Sequence, residues 1–133
     1  MEEEIVRLLK ERDLRVTPQR LAILKVLMRG GHYTGEQIFN EVKKTEPSIS
    51  LSTVYNNLEA LESVGLVRSF ESLGVTWYEA RLEPHINVIC VDKKEIVDVD
   101  IDAKWLLDLL EKKGYKVINL NLVAVAECGR SSP

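Results

Sequence analysis

Three helix-start signals at nearly regular spacing, followed by one tight turn, constrain this chain more than any other feature. Thr17-Pro18 places a side-chain cap before a proline at the first helical position, where its missing N–H is harmless. Leu21, Leu24 and Leu27 then recur on one face until Gly30-Gly31 stop the helix near Met28. Thr34 opens T-G-E-Q, a capping box with Gln37, ahead of the apolar face Ile38, Phe39 and Val42. Ser50 or Ser52 caps a third helix, in which Val54, Leu58 and Leu61 face inward and Gly65 ends the run. The segments LVRSFES and VTWYEAR, split by Leu73-Gly74, predict a two-stranded hairpin. Three helices and a β-ribbon make the winged-helix pattern, with a further helix over 3–12 carrying Ile5, Leu8 and Leu9.

In helix-turn-helix geometry the last helix enters the major groove of DNA, so its outward face decides function. Here that face carries Thr53, Asn56, Asn57 and Ala60, with Tyr55 alongside. Asparagine amides pair with adenine edges, and a tyrosine can touch a phosphate or a thymine methyl. The plain alternative is a solvated helix surface, with Tyr55 partly buried. A net charge of −3 argues mildly against a nucleic-acid partner. Distribution matters more: Arg15, Arg20, Lys25, Arg29, Lys43 and Lys44 oppose only Glu36 and Glu41 between 15 and 44, so a local positive face is expected.

After Pro84 the pattern changes. HINVICV, EIVDVD and VINLNLVAVA read as strands, with a helix DAKWLLDLLEKKG between the second and third. The expected architecture is therefore α+β: a winged helix-turn-helix domain over 1–83 and a small α/β domain over 84–133. So short a second unit is marginal alone, and pairing with a second copy would bury its surplus apolar surface, which predicts a homodimer. No apolar run of about 18 residues occurs and the N-terminus is charged throughout, so neither a membrane span nor a signal peptide is expected. The expected compartment is the cytoplasm. Two cysteines, Cys90 and Cys128, are too few for a disulfide framework, and packing as small hydrophobes, one bridge or a shared metal stay open.

The order RVTPQRLAIL, HYTGEQIF, SLSTVYNNLEALESVGLV, WYEARLEPH, NVIC and EIVDVD resembles the ferric uptake regulator family across nearly the whole chain. TVYNNL is more similar to the family's peroxide-responsive repressors than to its iron-uptake regulators, which commonly have arginine where Asn56 stands. The resemblance implies a dimeric, metal-responsive repressor of metal homeostasis or peroxide stress genes, bound to double-stranded operator DNA. An enzyme that activates water on a metal is a third reading and is not expected, because nothing supplies a nucleophile elbow, a phosphate loop or a second catalytic acid. It implies base or phosphate contact by Tyr55 and Asn56 and a minor-groove role for Arg15. Arg20, Ser52, Thr53 and Asn57 complete the DNA-binding candidates.

It also implies a regulatory ion at the joint between the domains, one per chain, with His32, Glu79, His85, Asn87 and Asp98 at the matching positions. Asn87 departs from the family, which has histidine there. An amide oxygen is a weaker and harder ligand than imidazole, which favours Mn²⁺ or Fe²⁺ over Cu²⁺, with Zn²⁺ also suited to the mixed set. His85 and Asn87, two apart on a strand, share a face, and Asp98 lies on a neighbouring strand. If iron is bound, the resemblance extends to oxidation of His32 or His85 by peroxide. The family's second site, a zinc held by two CxxC pairs, has Lys93 and Ser131 where two thiolates belong, so a Cys₄ zinc is expected to be absent. The alternative is a winged-helix regulator that has lost the sensor and is switched by the thiols.

Overall fold

The computed structural model describes residues 1–80 and 83–129, and each start signal in its first half opens a helix. The helices are α1 (Glu2–Glu11), α2 (Pro18–Leu27), α3 (Gly35–Val42) and α4 (Leu51–Ser63). Thr17 Oγ1 accepts from the Arg20 N–H, Thr34 and Gln37 form both halves of the capping box, and Ser50 Oγ accepts from the Thr53 N–H. Each cap contributes about 1 kcal/mol by satisfying amides that the helix cannot. Of the two serines considered as caps for α4, Ser50 does the capping.

The four helices bury one shared core. Ile5 and Leu9 come from α1, Ile23, Leu24 and Leu27 from α2, Ile38 and Val42 from α3, and Val54, Leu58 and Leu61 from α4. Arg12 Nε also donates to the Val64 carbonyl at 3.2 Å, fastening the end of α1 to the end of α4. The chain then turns into β1 (Arg68–Ser72) and β2 (Val75–Glu79), an antiparallel pair with register Arg68↔Glu79. Leu73 and Gly74 both take positive φ (53° and 77°), as a two-residue hairpin turn requires. This unit, Met1–Arg81, is the winged helix-turn-helix.

The second unit, Leu82–Pro133, contains β3 (His85–Cys90), β4 (Glu95–Asp100), α5 (Lys104–Lys112) and β5 (Leu122–Ala126). The sheet order is β4-β3-β5, with β4 antiparallel and β5 parallel to β3. The strand expected over 117–126 is shorter than its apolar content suggests. Pairing begins at Ile86↔Leu122, next to the start of β3, so β3 ends before the segment 117–120 could extend the ladder. Cys90 and Cys128 form a disulfide that joins the end of β3 to the segment after β5, with Cα atoms 5.4 Å apart. The Asp92 carboxylate accepts from the N–H groups of Cys128 and Gly129, each at 3.0 Å, beside that bridge. With both sulfurs bonded to each other, packing as separate small hydrophobes is not what the cysteines do; Ser131 lies outside the described residues. No helix among the described residues is long and apolar enough to cross a membrane.

Candidate metal centre and nucleic-acid interface

His32 sits in the loop between α2 and α3, after Gly30 and Gly31 with φ of 94° and 81°. Its neighbour Tyr33 pairs with Tyr78 of β2: the Tyr33 N–H donates to the Tyr78 carbonyl at 3.0 Å, and the Tyr78 N–H returns to the Tyr33 carbonyl at 2.7 Å. In an antiparallel pairing, matching 33 with 78 brings 32 beside 79. His32 Nε2 accordingly lies 3.2 Å from Glu79 Oε2. Glu79 is 1% exposed, and the Phe70 ring meets the imidazole edge-on at 5.3 Å.

A buried carboxylate requires a cation or strong hydrogen bonds. Arg68 stands opposite Glu79 across the hairpin; burial pulls its pKa down, and the charge of Glu79 pushes the other way. The His32–Glu79 spacing also suits a shared ion, because two donors each about 2.1 Å from one tetrahedral metal lie about 3.4 Å apart.

The second unit carries another donor group on one face of its sheet. His85 and Asn87 are buried on β3, and Asp98 is the direct cross-strand partner of Asn87, with Asp100 opposite His85. His85 Nδ1 is 3.0 Å from the Glu83 carbonyl. A carbonyl oxygen only accepts, so Nδ1 is the donor in this contact, which fixes the ring's orientation and leaves Nε2 as the atom that could face an ion. The structure thus joins His32 to Glu79 in one unit, and His85, Asn87 and Asp98 in the other. Nitrogen and oxygen donors of this kind fit a borderline or hard divalent ion.

On α4, Val54, Leu58 and Leu61 are buried, while Ser52, Tyr55 and Asn56 are exposed. Thr53 is half-buried and its hydroxyl lies 2.8 Å from that of Ser50 at the helix start. Tyr55 is not a loose surface ring. It lies over Gly35, where an added Cβ would fall 2.4 Å from the ring, and it faces the Tyr78 ring at 6.4 Å. Its hydroxyl points to Glu36 Oε1 at 3.5 Å; burial, then the Glu36 charge, pushes the phenol pKa up. Gly35 was legible only as part of a capping box, and its role as the floor under Tyr55 needs the packing to be seen. Tyr33, Phe70 and Tyr78 were likewise missed, since nothing in their local sequence marks them as supports.

The basic residues between 15 and 44 do not form one face. Lys25 pairs with Glu2 of α1 at 2.8 Å, Arg29 with Glu41 at 2.6 Å, Lys44 also with Glu41, and Lys43 sits 5.1 Å over the Phe39 ring. Arg15 is exposed, and Arg20 lies beside α4, 3.0 Å from Asn57 Oδ1. Arg20 thus brings its charge against α4, and its Nη1 donates to the Arg15 carbonyl at 2.9 Å.

The chain is similar to known proteins of one family. The ferric uptake regulator family matches residues 11–125. The ferric uptake regulation protein homolog of Archaeoglobus fulgidus is 36% identical over 116 residues, covering 84% of this chain and 88% of its own. The peroxide-responsive repressor PerR of Staphylococcus saprophyticus is 30% identical over 122 residues, covering 90% and 80%. Among solved structures, the Campylobacter jejuni peroxide stress regulator superposes with a TM-score of 0.69 at 37% identity, covering 96% of this chain and 98% of its own. The Pseudomonas aeruginosa ferric uptake regulator, determined with manganese, gives 0.73 at 26% identity, covering 95% and 98%. With the family matched over most of its length, this chain belongs to the ferric uptake regulator family.

Proposed function

We propose that this chain is a metal-responsive transcriptional repressor that binds operator DNA as a homodimer and controls genes of metal homeostasis or peroxide stress. The observation that carries the metal response is the buried Glu79 carboxylate held 3.2 Å from His32 by the Tyr33–Tyr78 pairing, on the same unit as an outward polar face on α4. His32 and Glu79 would hold one divalent ion together with His85, Asn87 and Asp98. The ion supplies positive charge and directional bonds that tie the two donor groups to one centre. Mn²⁺, Fe²⁺ and Zn²⁺ suit this set, and the amide oxygen of Asn87 favours the harder ions.

Each residue then has a stated task. Glu79 offers a carboxylate that burial makes costly to leave uncompensated. His32 brings the α2–α3 loop into the site, and so couples it to the unit that carries α4. Tyr55, Asn56 and Arg15 face the nucleic acid. Symmetric dimers read half-sites about 34–36 Å apart, so anything that changes the spacing of two α4 helices misplaces one of them. Exposed Val97, Val99, Trp105, Val123 and Val125 in the second unit support pairing with a second copy.

The test is equilibrium binding to a palindromic duplex at fixed salt, with Mn²⁺ and with chelator. Metal should tighten binding by about 5–150-fold, and His32→Ala should abolish the difference. Identical affinities in both conditions would remove the metal switch. The Cys90–Cys128 bridge favours one other reading, a metal-independent regulator switched by its thiols. That reading expects reductant, rather than chelator, to change DNA affinity and expects His32→Ala to bind normally.

A further inference from the structure

Asn56 and Asn57 are neighbours on α4 and look interchangeable as readers of base edges, yet their surroundings differ. Asn56 is exposed. The Asn57 amide is engaged at both ends: Oδ1 accepts from Arg20 Nε at 3.0 Å, and Nδ2 donates to the Thr53 carbonyl one turn back at 2.9 Å. Each bond takes one lone pair or one N–H of the amide, and together they fix its orientation on α4. The same guanidinium has a second acceptor, because Arg20 Nη1 donates to the Arg15 backbone carbonyl at 2.9 Å. One planar group thus joins the segment leading into α2, α2 itself and α4.

We infer that Arg20 is a positioning residue for DNA recognition: it locks the Arg15 segment to α4 through Asn57, and leaves Asn56 as the asparagine that reads sequence. The inference rests on the DNA-binding role proposed above and assigns labour within it. The physical reason is the shape of the guanidinium, whose donors are fixed in one plane, so the two acceptors cannot shift independently. An ammonium on a flexible stem retains the charge but does not hold two acceptors in a fixed relation. Lysine therefore separates the two roles open to Arg20. A phosphate contact survives Arg20→Lys; a clamp does not.

The experiment uses the full chain with Mn²⁺ and the duplex that the wild type enriches from a random-sequence pool. Affinities are measured for Arg20→Lys, Asn57→Ala, Asn56→Ala, Arg15→Ala and the pairwise combinations with Arg20→Lys, and melting curves confirm that each is folded. Arg20→Lys and Asn57→Ala should each weaken binding on the order of tenfold, and the double variant should lose little more, since both remove one clamp. Arg15→Ala should lose less affinity in the Arg20→Lys background than alone. On a panel of duplexes with single base changes, Asn57→Ala should weaken all members alike, whereas Asn56→Ala should flatten discrimination at one base pair. Should Arg20→Lys melt early, the Asn57→Ala panel decides by itself. Wild-type affinity for Arg20→Lys, additive losses, or discrimination lost at one base pair in Asn57→Ala would each overturn the inference while leaving DNA binding intact. Failure of the wild type to enrich any duplex would remove both.

Discussion

The two units of this chain are stabilised in opposite ways. In the first, four amphipathic helices close on one another, and the large aliphatic side chains at their inner positions are almost wholly excluded from water. In the second, Ile89, Cys90 and Ala103 are the buried small and aliphatic residues among those described, while Trp105, Tyr115, Ile118, Val123 and Val125 are exposed. Helix α5 buries none of its residues. The first unit carries its stability in its own core. The second has a covalent bridge and leaves apolar surface exposed, which teaches that a unit closing its own core and one that does not face different physical constraints.

The largest effect should come from the bridge. Cys90 and Cys128 are 38 residues apart in sequence, and closing a loop of that size restricts the unfolded chain by about 4 kcal/mol. Reduction, or Cys128→Ser, should lower the melting transition of the second unit by that amount and leave the first in place. Differential scanning calorimetry with and without reductant separates the two. An equal shift of both transitions would show that the units melt as one, and the contrast drawn above would fail.

Next in size is the core of the first unit. Leu58 is fully buried on α4, and Leu58→Ala should remove about 3 kcal/mol through lost transfer energy and the cavity left behind. That loss should not depend on protein concentration. The second unit, if a second copy covers it, should gain about 1.4 kcal/mol of apparent stability per tenfold rise in concentration. Chemical denaturation of wild type and Leu58→Ala at several concentrations sharpens the comparison. Concentration dependence confined to the first unit would reverse it.

The same contrast explains how much of the molecule was legible in the residue order. Helix starts in the first unit were readable because a cap is a local event: Thr17, Thr34 and Ser50 each bond an amide three residues on. The hairpin was readable for a similar reason, since Leu73-Gly74 alone sets its turn. In the second unit the apolar run over 117–126 was not, because a strand exists only where a partner lies, and β3 supplies partners from Leu122 onward. At the site, the types and positions of His32, Glu79, His85, Asn87 and Asp98 came from the resemblance to a family. What the sequence did not disclose is how the donors are held. The Tyr33–Tyr78 pairing and the Arg20–Asn57 bond connect positions 45 and 37 residues apart, and no local rule anticipates them. A cluster of basic residues also read as one face until α1 placed Glu2 against Lys25.

The smallest predicted effect is a pH dependence confined to the second unit. Asp92 accepts the Cys128 N–H and the Gly129 N–H, and the first of these bonds does most to hold its carboxyl below the ordinary aspartate range, helped by the charge of Lys93. A folded pKa lower than the unfolded one means that the contribution is complete above the ordinary value. It is lost as the pH falls through the folded value, which places the window below about pH 4. Asp92 is exposed, so the effect is local tethering of the segment after β5 rather than global stability. Amide exchange at Cys128 and Gly129 should therefore accelerate at acid pH, after correction for intrinsic rates, while amides of α2 and α4 keep their protection. Asp92→Asn removes the titration and should abolish the difference. If the acid response survives in Asp92→Asn, another carboxylate holds the strand end; if α4 responds in parallel, the first unit is not self-sufficient.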